Sequence, residues 1–334
     1  MGGMETYCVR LTQELARDVD LDVVALPGRA DGGAPGVLAM MAFGIKTAFG
    51  LMIASRAAVV HLGDVSIWPL GLIARLRHPG TAVIITAHGS DLSLSLKSGL
   101  PARLYRGYVR LGARLLGGAT VVAVSGWLAG LARDAGFERV TTIPNASDIA
   151  APATHDGAHN GALFFAGRIM RRKGLSRFID TVLPLLPAGT RIRVAGTVWD
   201  AAEARILTHP QVDFLGALGP AELAREYRGA LAVIVPSIEP EGFGLVAAEA
   251  AMAGGVVIAA DHSGLRDAVL ADTGFLASID APDQWGAAIA DIAGWNAGER
   301  AAFTRTASAS ALERFSWRRV AAETGGVYQA ALRR

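Results

Sequence analysis

The chain has 334 residues, enough for two domains of ordinary size, and is 51% hydrophobic and 19% charged. That composition excludes a disordered chain, and a formal net charge of +2 gives no electrostatic case for a nucleic-acid partner. The single cysteine, Cys8, excludes an internal disulfide and a cysteine-based metal cluster, and fits a reducing compartment.

Met1-Gly2-Gly3-Met4-Glu5 reads as a glycine-rich turn feeding a helix on which Tyr7, Leu11 and Leu15 recur at helical spacing. Such turns normally follow a β-strand, and none precedes this one. LDVVAL (21–26) reads as a short strand. VLAMMAFGIKTAFGLMIA (37–54) has the length of a spanning helix, but Lys46 in mid-segment is costly in lipid. Strand-like runs flank it, so a buried helix is expected. AAVVHL (57–62), TAVIITA (81–87) and ATVVAV (119–124) read as buried parallel strands. WPLGLIARL, ARLYRGYVRLGARLL and GWLAGLARDAG are the helices between them.

APATHDGAHNG (151–161) is aperiodic and reads as a linker. The alternation then restarts, with ALFFAG, RIRVAG, VDFLG, LAVIVP, GVVIAA and GFLAS as strands and a last helix from about Trp317 to Leu332. The predicted architecture is α/β, with two doubly wound parallel-sheet (Rossmann-like) domains facing across a cleft. The first spans 1–150, a linker 151–160, the second domain 161–314, and a terminal segment 315–334 crosses back to the first. Ligands in such sheets bind outside the carboxyl ends of the strands.

The richest segment is VPSIEPEGFGLVAAEAAMAGGVVIAA (235–260). A strand ends at Val235, a loop carries Glu239 and Glu241, and a helix begins near Leu245. Gly242 and Gly244 let backbone approach a ligand, and the amides from Phe243 to Leu245 open a helix suited to a phosphate. Glu241 and Glu249 form Glu-x7-Glu. Carboxylates beside a phosphate site repel it unless they bind something else, and sugar hydroxyls are natural donors to them. On the residues alone, Glu249 could equally complement the helix dipole and Glu241 could be a solvated loop residue. In FFAGRIMRRKGLSRF (164–178), Arg168 and Lys173 follow a strand end and could clamp a diphosphate or be solvated, as could Arg171 and Arg172. In TAHGSDL (86–92), His88 stands at a strand end, where it could bond a sugar or be a structural histidine.

Two weaker patterns are set aside. Asp18-Val19-Asp20 spells Asp-x-Asp but follows a helix and reads as a solvated turn. His155 and His159 make H-x3-H in the linker without a third ligand, so no metal site is expected.

Together these segments resemble the retaining nucleotide-sugar glycosyltransferases of family 4 (group 1), with the GT-B fold. The residues that carry the likeness are EGFGL-x3-E after Pro236-Ser237, Gly167-Arg168-x4-Lys173-Gly174, His88-Gly89-x-Asp91 and the opening Gly-Gly-Met-Glu. Ile143-Pro144-Asn145, Gly274-Phe275-Leu276 and Phe315-Ser316-Trp317 add to it. Ala146-Ser147 departs from the glycine usual after Asn145.

The resemblance implies that Arg168 and Lys173 hold the donor diphosphate as it leaves and that Glu249 binds the ribose. Glu241, Gly242, Phe243, Gly244 and Leu245 would meet the donor sugar and phosphate, with His88 reaching the sugar from the other domain and Gly3 in the loop against the phosphate or acceptor side. It implies transfer of a sugar from a nucleotide-diphosphate-sugar co-substrate to a glycan, lipid-linked or small-molecule acceptor, with retained anomeric configuration and no cofactor or metal. A nucleotide-sugar epimerase of the same fold, or an inactive nucleotide-sugar-binding paralogue, is the competing reading. Family members begin with a strand before the opening turn, so the first strand is expected to be missing here. The first domain would then be marginal and the first to be nicked by protease.

ARLYRGYVRLGARLL places Arg103, Arg106, Arg110 and Arg114 on one helical face beside Tyr105, Tyr108, Leu111 and Leu115. This face could be the solvated side of an ordinary amphipathic helix or could lie on an anionic membrane surface; the second reading gives a peripheral membrane contact through helix 102–116, in a cytoplasmic protein at the inner face of the membrane.

Overall fold

The computed structural model describes residues 3–26 and 36–334; Met1 and Gly2 of the opening turn lie outside the described residues. The chain divides into two compact units, residues 1–145 with 317–334, and residues 146–316.

The first unit opens with α1 (Gly3–Leu15), whose helical stripe Tyr7, Leu11 and Leu15 is buried. After α2 (Val37–Ile53) the chain alternates through β1 (Val59–Leu62), α3 (Trp68–Arg77), β2 (Ala82–Ala87), the short α4 (Ser90–Ser93), α5 (Leu100–Leu115), β3 (Thr120–Ala123), α6 (Gly126–Asp134) and β4 (Arg139–Thr142). The four strands pair in parallel in the order β1-β2-β3-β4. Val83, Ile84, Ile85, Val121 and Val122 are fully covered, as continuous apolar runs in a two-faced parallel sheet require.

The second unit runs β5 (Leu163–Ala166), α7 (Leu175–Thr181), β6 (Ile192–Ala195), β7 (Val212–Gly216), α8 (Pro220–Gly229), β8 (Ala232–Val235), α9 (Leu245–Met252), β9 (Val257–Ala260), α10 (Leu265–Ala268), β10 (Gly274–Ala277), α11 (Pro282–Gly294) and α12 (Ala297–Arg314). Its sheet order is β10-β9-β8-β5-β6-β7, all parallel. The chain winds outward from β5 through β6 and β7, then returns to the other side of β5 with β8. The winding reverses between β5 and β8, the kind of switch point outside whose strand carboxyl ends ligands of open α/β sheets bind. The last helix, α13 (Trp317–Leu332), belongs to the first unit, where Tyr328 bonds His61 Nδ1 over 2.6 Å.

Two sequence expectations are corrected. LDVVAL (21–26) is not a strand: it pairs with no strand among the described residues, and Val23 and Val24 are exposed. An apolar run gains strand structure only against a neighbour that completes its hydrogen bonds. Segment 37–54 does contain the expected helix, but it is not buried. α2 packs on α3 and leaves Leu38, Met41, Ile45, Phe49 and Met52 exposed, one stripe at helical spacing. No helix among the described residues is long and apolar enough to cross a membrane.

Candidate functional site

The crevice between β5 and β8 collects the charged residues singled out in the second unit. After β5, Gly167 takes a φ of 149° and its carbonyl packs where a Cβ on Gly196 would be, 1.8 Å away, so the two loops meet backbone to backbone. Arg168 follows, exposed, with its guanidinium 4.8 Å from the ring centroid of Trp199. Residues 171–173 form one turn, and Gly174, at φ 74°, opens α7. A Cβ on Gly174 would lie 1.9 Å from the carbonyl oxygen of Pro236. The β5 and β8 loops are stitched together here, since Ile238 N donates to Arg172 O over 3.0 Å.

That stitching brings Lys173 and Glu241 into contact. Lys173 Nζ donates to Glu241 Oε1 over 2.6 Å, both side chains being largely buried. Ser237 Oγ donates to the same oxygen. Burial works against the Glu241 carboxylate, but the charge and hydrogen bond of Lys173, then Ser237 and Arg172, outweigh it and hold its pKa below the ordinary range. Glu241 is therefore held ionised, with Lys173 and Ser237 both donating to Oε1. Arg168 is exposed as a residue, but partial desolvation of its guanidinium first, then the Arg172 charge, pull its pKa below the ordinary value, with Glu241 opposing.

The loop beyond Glu241 is held from β9. Glu241 N donates to Ser263 Oγ over 2.9 Å and Gly264 N to Glu241 O over 3.0 Å. His262 Nε2 bonds Ser237 O over 2.6 Å. Ser263 adopts a φ of 52°, an uncommon conformation for a residue with a side chain. Phe243 is buried, edge to face with Phe315 at 5.4 Å, and anchors the loop. Gly244, at φ 112°, starts α9 with a conformation that suits glycine. The amides after Gly242 thus sit at the amino end of α9, beside the cations of the β5 loop.

Glu249 stands in α9 and has partners other than Lys173. Its Oε1 accepts from Ser147 Oγ over 3.0 Å, and its Oε2 lies 3.4 Å from Tyr227 Oη. Burial raises its pKa, with the Ser147 and Tyr227 bonds offsetting part of the effect.

In the first unit, His88 follows the carboxyl end of β2. Its amide and that of Gly89 donate to the buried Asp91 carboxylate, the latter over 2.7 Å, and Gly89 has a φ of 144°. The His88 ring stands edge-on to Tyr7 at 4.6 Å. Its Nε2 is buried with no partner among the described residues. Burial, then neighbouring His61, push its pKa down to about 4, so the ring is neutral. Burial, then Asp64, raise Asp91 to about 6. Gly3 opens α1.

Arg168, Lys173, Glu241 and the 242–245 backbone therefore converge at one crevice, with Glu249 further along α9. Sequence reasoning missed Ser147, Tyr227, Ser263 and His262, which hold the two glutamates and their loop. Ser147 had only an indirect signal, since Ala146-Ser147 departs from the glycine usual after Asn145.

The helix expected to touch membrane is α5, and its face differs from the expected one. Tyr105 Oη donates to Asp91 O, Tyr108 Oη to Ser66 O and Arg106 Nη1 to Ser95 O, at 2.7, 2.6 and 2.6 Å, so these three side chains serve the first unit's own loops.

Comparison with known proteins agrees with the fold. Residues 1–151 match the family described as Glycosyltransferase Family 4, and residues 160–294 the one described as Glycosyl transferases group 1. A D-inositol 3-phosphate glycosyltransferase of Segniliparus rotundus is 35% identical over 181 residues, 51% of this chain and 40% of that protein. One from Xylanimonas cellulosilytica is 36% identical over 192 residues, 52% of this chain and 43% of that protein. The matched stretches thus span about two fifths of the length of these curated relatives. Among solved structures, sucrose-phosphate synthase of Thermosynechococcus elongatus superposes with a TM-score of 0.77 at 19% identity, covering 98% of this chain and 93% of that one. Anabaena HepE in complex with UDP gives 0.74 at 18%, covering 98% and 96%. Two parallel-sheet α/β domains of the GT-B kind are the architecture of this chain.

Proposed function

We propose that this chain, built of a Glycosyltransferase Family 4 domain followed by a group 1 glycosyltransferase domain, moves a sugar from a nucleoside-diphosphate-sugar donor to a hydroxyl acceptor with retention of anomeric configuration. The observation that carries the reading is the Lys173–Glu241 contact at the winding reversal, with Arg168 beside it and the amides of α9 opening onto it.

Breaking the glycosidic bond leaves negative charge on the terminal phosphate and positive character on the sugar. Arg168, Lys173 and the amides near Gly244 and Leu245 are preplaced for the first, in a crevice where such charges act strongly. Glu241, already ionised and held by Lys173 and Ser237, would accept from sugar hydroxyls, and Glu249 from the ribose. Both glutamates are engaged by protein donors, which disfavours either as a free nucleophile. The leaving phosphate would then take the acceptor's proton on the face it departs from, and stereochemistry is retained. The cations and amides supply the charge stabilisation a metal otherwise gives, so the reading is metal-independent. Neutral His88 would bond the sugar from the first unit.

The donor class draws support from the HepE structure, which is a complex with UDP. The acceptor is a glycan, a lipid-linked sugar or a small molecule; the relatives named for D-inositol 3-phosphate favour a polyol hydroxyl. The reading brings the protein to the inner face of the membrane as a peripheral contact through α5. Thermal-shift screening of nucleotide sugars, then turnover with and without acceptors, tests it. Acceptor-dependent release of nucleoside diphosphate supports transfer, acceptor-independent epimerisation supports the alternative enzyme, and binding without turnover supports a binding protein.

A further inference from the structure

The carboxyl ends of α2, α3 and α5 meet at one end of the first unit. Arg77 Nε donates to Met52 O over 3.1 Å, and Arg75 Nη1 to Gly117 O over 2.8 Å. Arg139 Nη1 donates to Gly118 O over 2.9 Å. Gly117 and Gly118 precede β3 and Arg139 begins β4, so this is the amino end of the strands, opposite His88. Between α5 and the turns at 117–119 and 136–138 lies a cavity of about 320 Å³, lined by Arg110 and Arg114 on one side and Glu138 on the other. Burial, then the neighbouring Arg139 charge, push the Arg75 guanidinium below its ordinary range.

The exposed face of α5 sorts by chemistry. At about 100° per residue, Arg110, Arg103 and Arg114 fall within an arc of about 40°, and Leu100, Leu111, Leu104 and Leu115 within the next arc of about 60°. The leucines are 45–66% exposed. The arginine edge borders the cavity. Met52, Ile53 and Leu76, at the ends of α2 and α3, are also exposed. These three helices contain no aspartate or glutamate.

We propose that this end of the first unit docks on an anionic phospholipid surface, with the leucines at the acyl boundary, the arginines on lipid phosphates and the cavity taking one headgroup. A free phosphate would give the exposed leucines no role. A second copy of the chain would set arginine against arginine. A bilayer with anionic headgroups meets both edges of α5 at once. The inference extends the membrane contact of the proposed function and does not depend on sugar transfer.

The test is co-sedimentation of the whole chain with vesicles of phosphatidylcholine, or of phosphatidylcholine with about one-third phosphatidylglycerol. Nucleotide titration, scored separately, reports the donor site. The anionic vesicles should capture the protein at least about tenfold better, with high salt weakening capture. Arg110→Ala with Arg114→Ala should lower capture about 25-fold, about fivefold for each arginine. Leu111→Ser with Leu115→Ser should lower it too, with nucleotide binding and circular dichroism unchanged in both. Equal recovery in the supernatant with both vesicle types would overturn the proposal. So would a thermal shift with inorganic phosphate but no vesicle capture, or self-association in sedimentation velocity that the leucine variant abolishes. Vesicle capture without nucleotide binding would instead count against the donor site.

Discussion

Ser147 donates its hydroxyl to Glu249 Oε1 over 3.0 Å while Tyr227 Oη lies 3.4 Å from Oε2, so protein groups face both oxygens of this buried carboxylate. Removing the hydroxyl with Ser147→Ala strips a buried carboxylate of one donor and raises its pKa further. A glutamate held above its ordinary 4.5 binds its proton more tightly folded than unfolded, so it costs stability as pH rises through its folded value. Glu249→Gln should therefore raise the urea midpoint at neutral pH and leave it unchanged near about pH 4, while weakening nucleotide binding about tenfold, the loss of one charged hydrogen bond. Urea titrations at the two pH values, with calorimetric titration of UDP, check both.

The Lys173–Glu241 pair behaves in the opposite sense. Glu241 is held below the ordinary range, so its stabilisation is full at neutral pH and is lost as pH falls through the folded value. Lys173→Met leaves a mostly buried carboxylate without its main partner and should cost about 3 kcal/mol. Adding Glu241→Gln should recover most of that loss, read from denaturation midpoints of the single and double variants.

Gly174 and Gly189 share a left-handed conformation, φ 74° and 90°, but not their surroundings. A Cβ at Gly174 would strike the Pro236 carbonyl, whereas nothing lies within 4 Å of one at Gly189. Gly189→Ala should cost about 1 kcal/mol of backbone strain. Gly174→Ala should cost at least twice as much and weaken nucleotide binding, because it parts the β5 and β8 loops. Thermal unfolding of both variants makes the comparison.

Acid should weaken the first unit. His61 and His88 are both held down to about 4, by burial first, and contribute stability that is full above their ordinary 6.5 and is lost as pH falls. Asp91, held up to about 6, has the opposite trend, but two histidines outweigh one carboxyl. Urea-dependent proteolysis of the first unit should show a lower midpoint at about pH 4.5 than at about pH 7, and His61→Asn should flatten the difference.

The sheets were legible because parallel strands buried on both faces are written as short apolar runs, such as Ala82–Ala87 and Ala232–Val235. β4 was missed because RVTT, a half-exposed edge strand, carries no such run. LDVVAL has the run but no strand beside it among the described residues. α2 misled for the same reason: apolarity marks what a segment could bury, not whether a partner covers it. At the site, spacing showed which residues gather at strand ends. It could not show that Glu249 answers to Ser147, 102 residues away, or that Tyr105 and Arg106 turn inward from a face that looked uniform.

The central claim is that the cations after β5 stabilise the leaving diphosphate. Arg168 tests it most cleanly, because it is exposed and its loss should not disturb folding. The measurement is acceptor-dependent release of nucleoside diphosphate by the unaltered chain and by Arg168→Met, with the nucleotide dissociation constant of each. Transfer by the unaltered chain, a kcat lower by about 100-fold or more in the variant, and a dissociation constant changed by less than about tenfold are the predicted result. No turnover by the unaltered chain, or a loss in the variant confined to nucleotide binding, would contradict it.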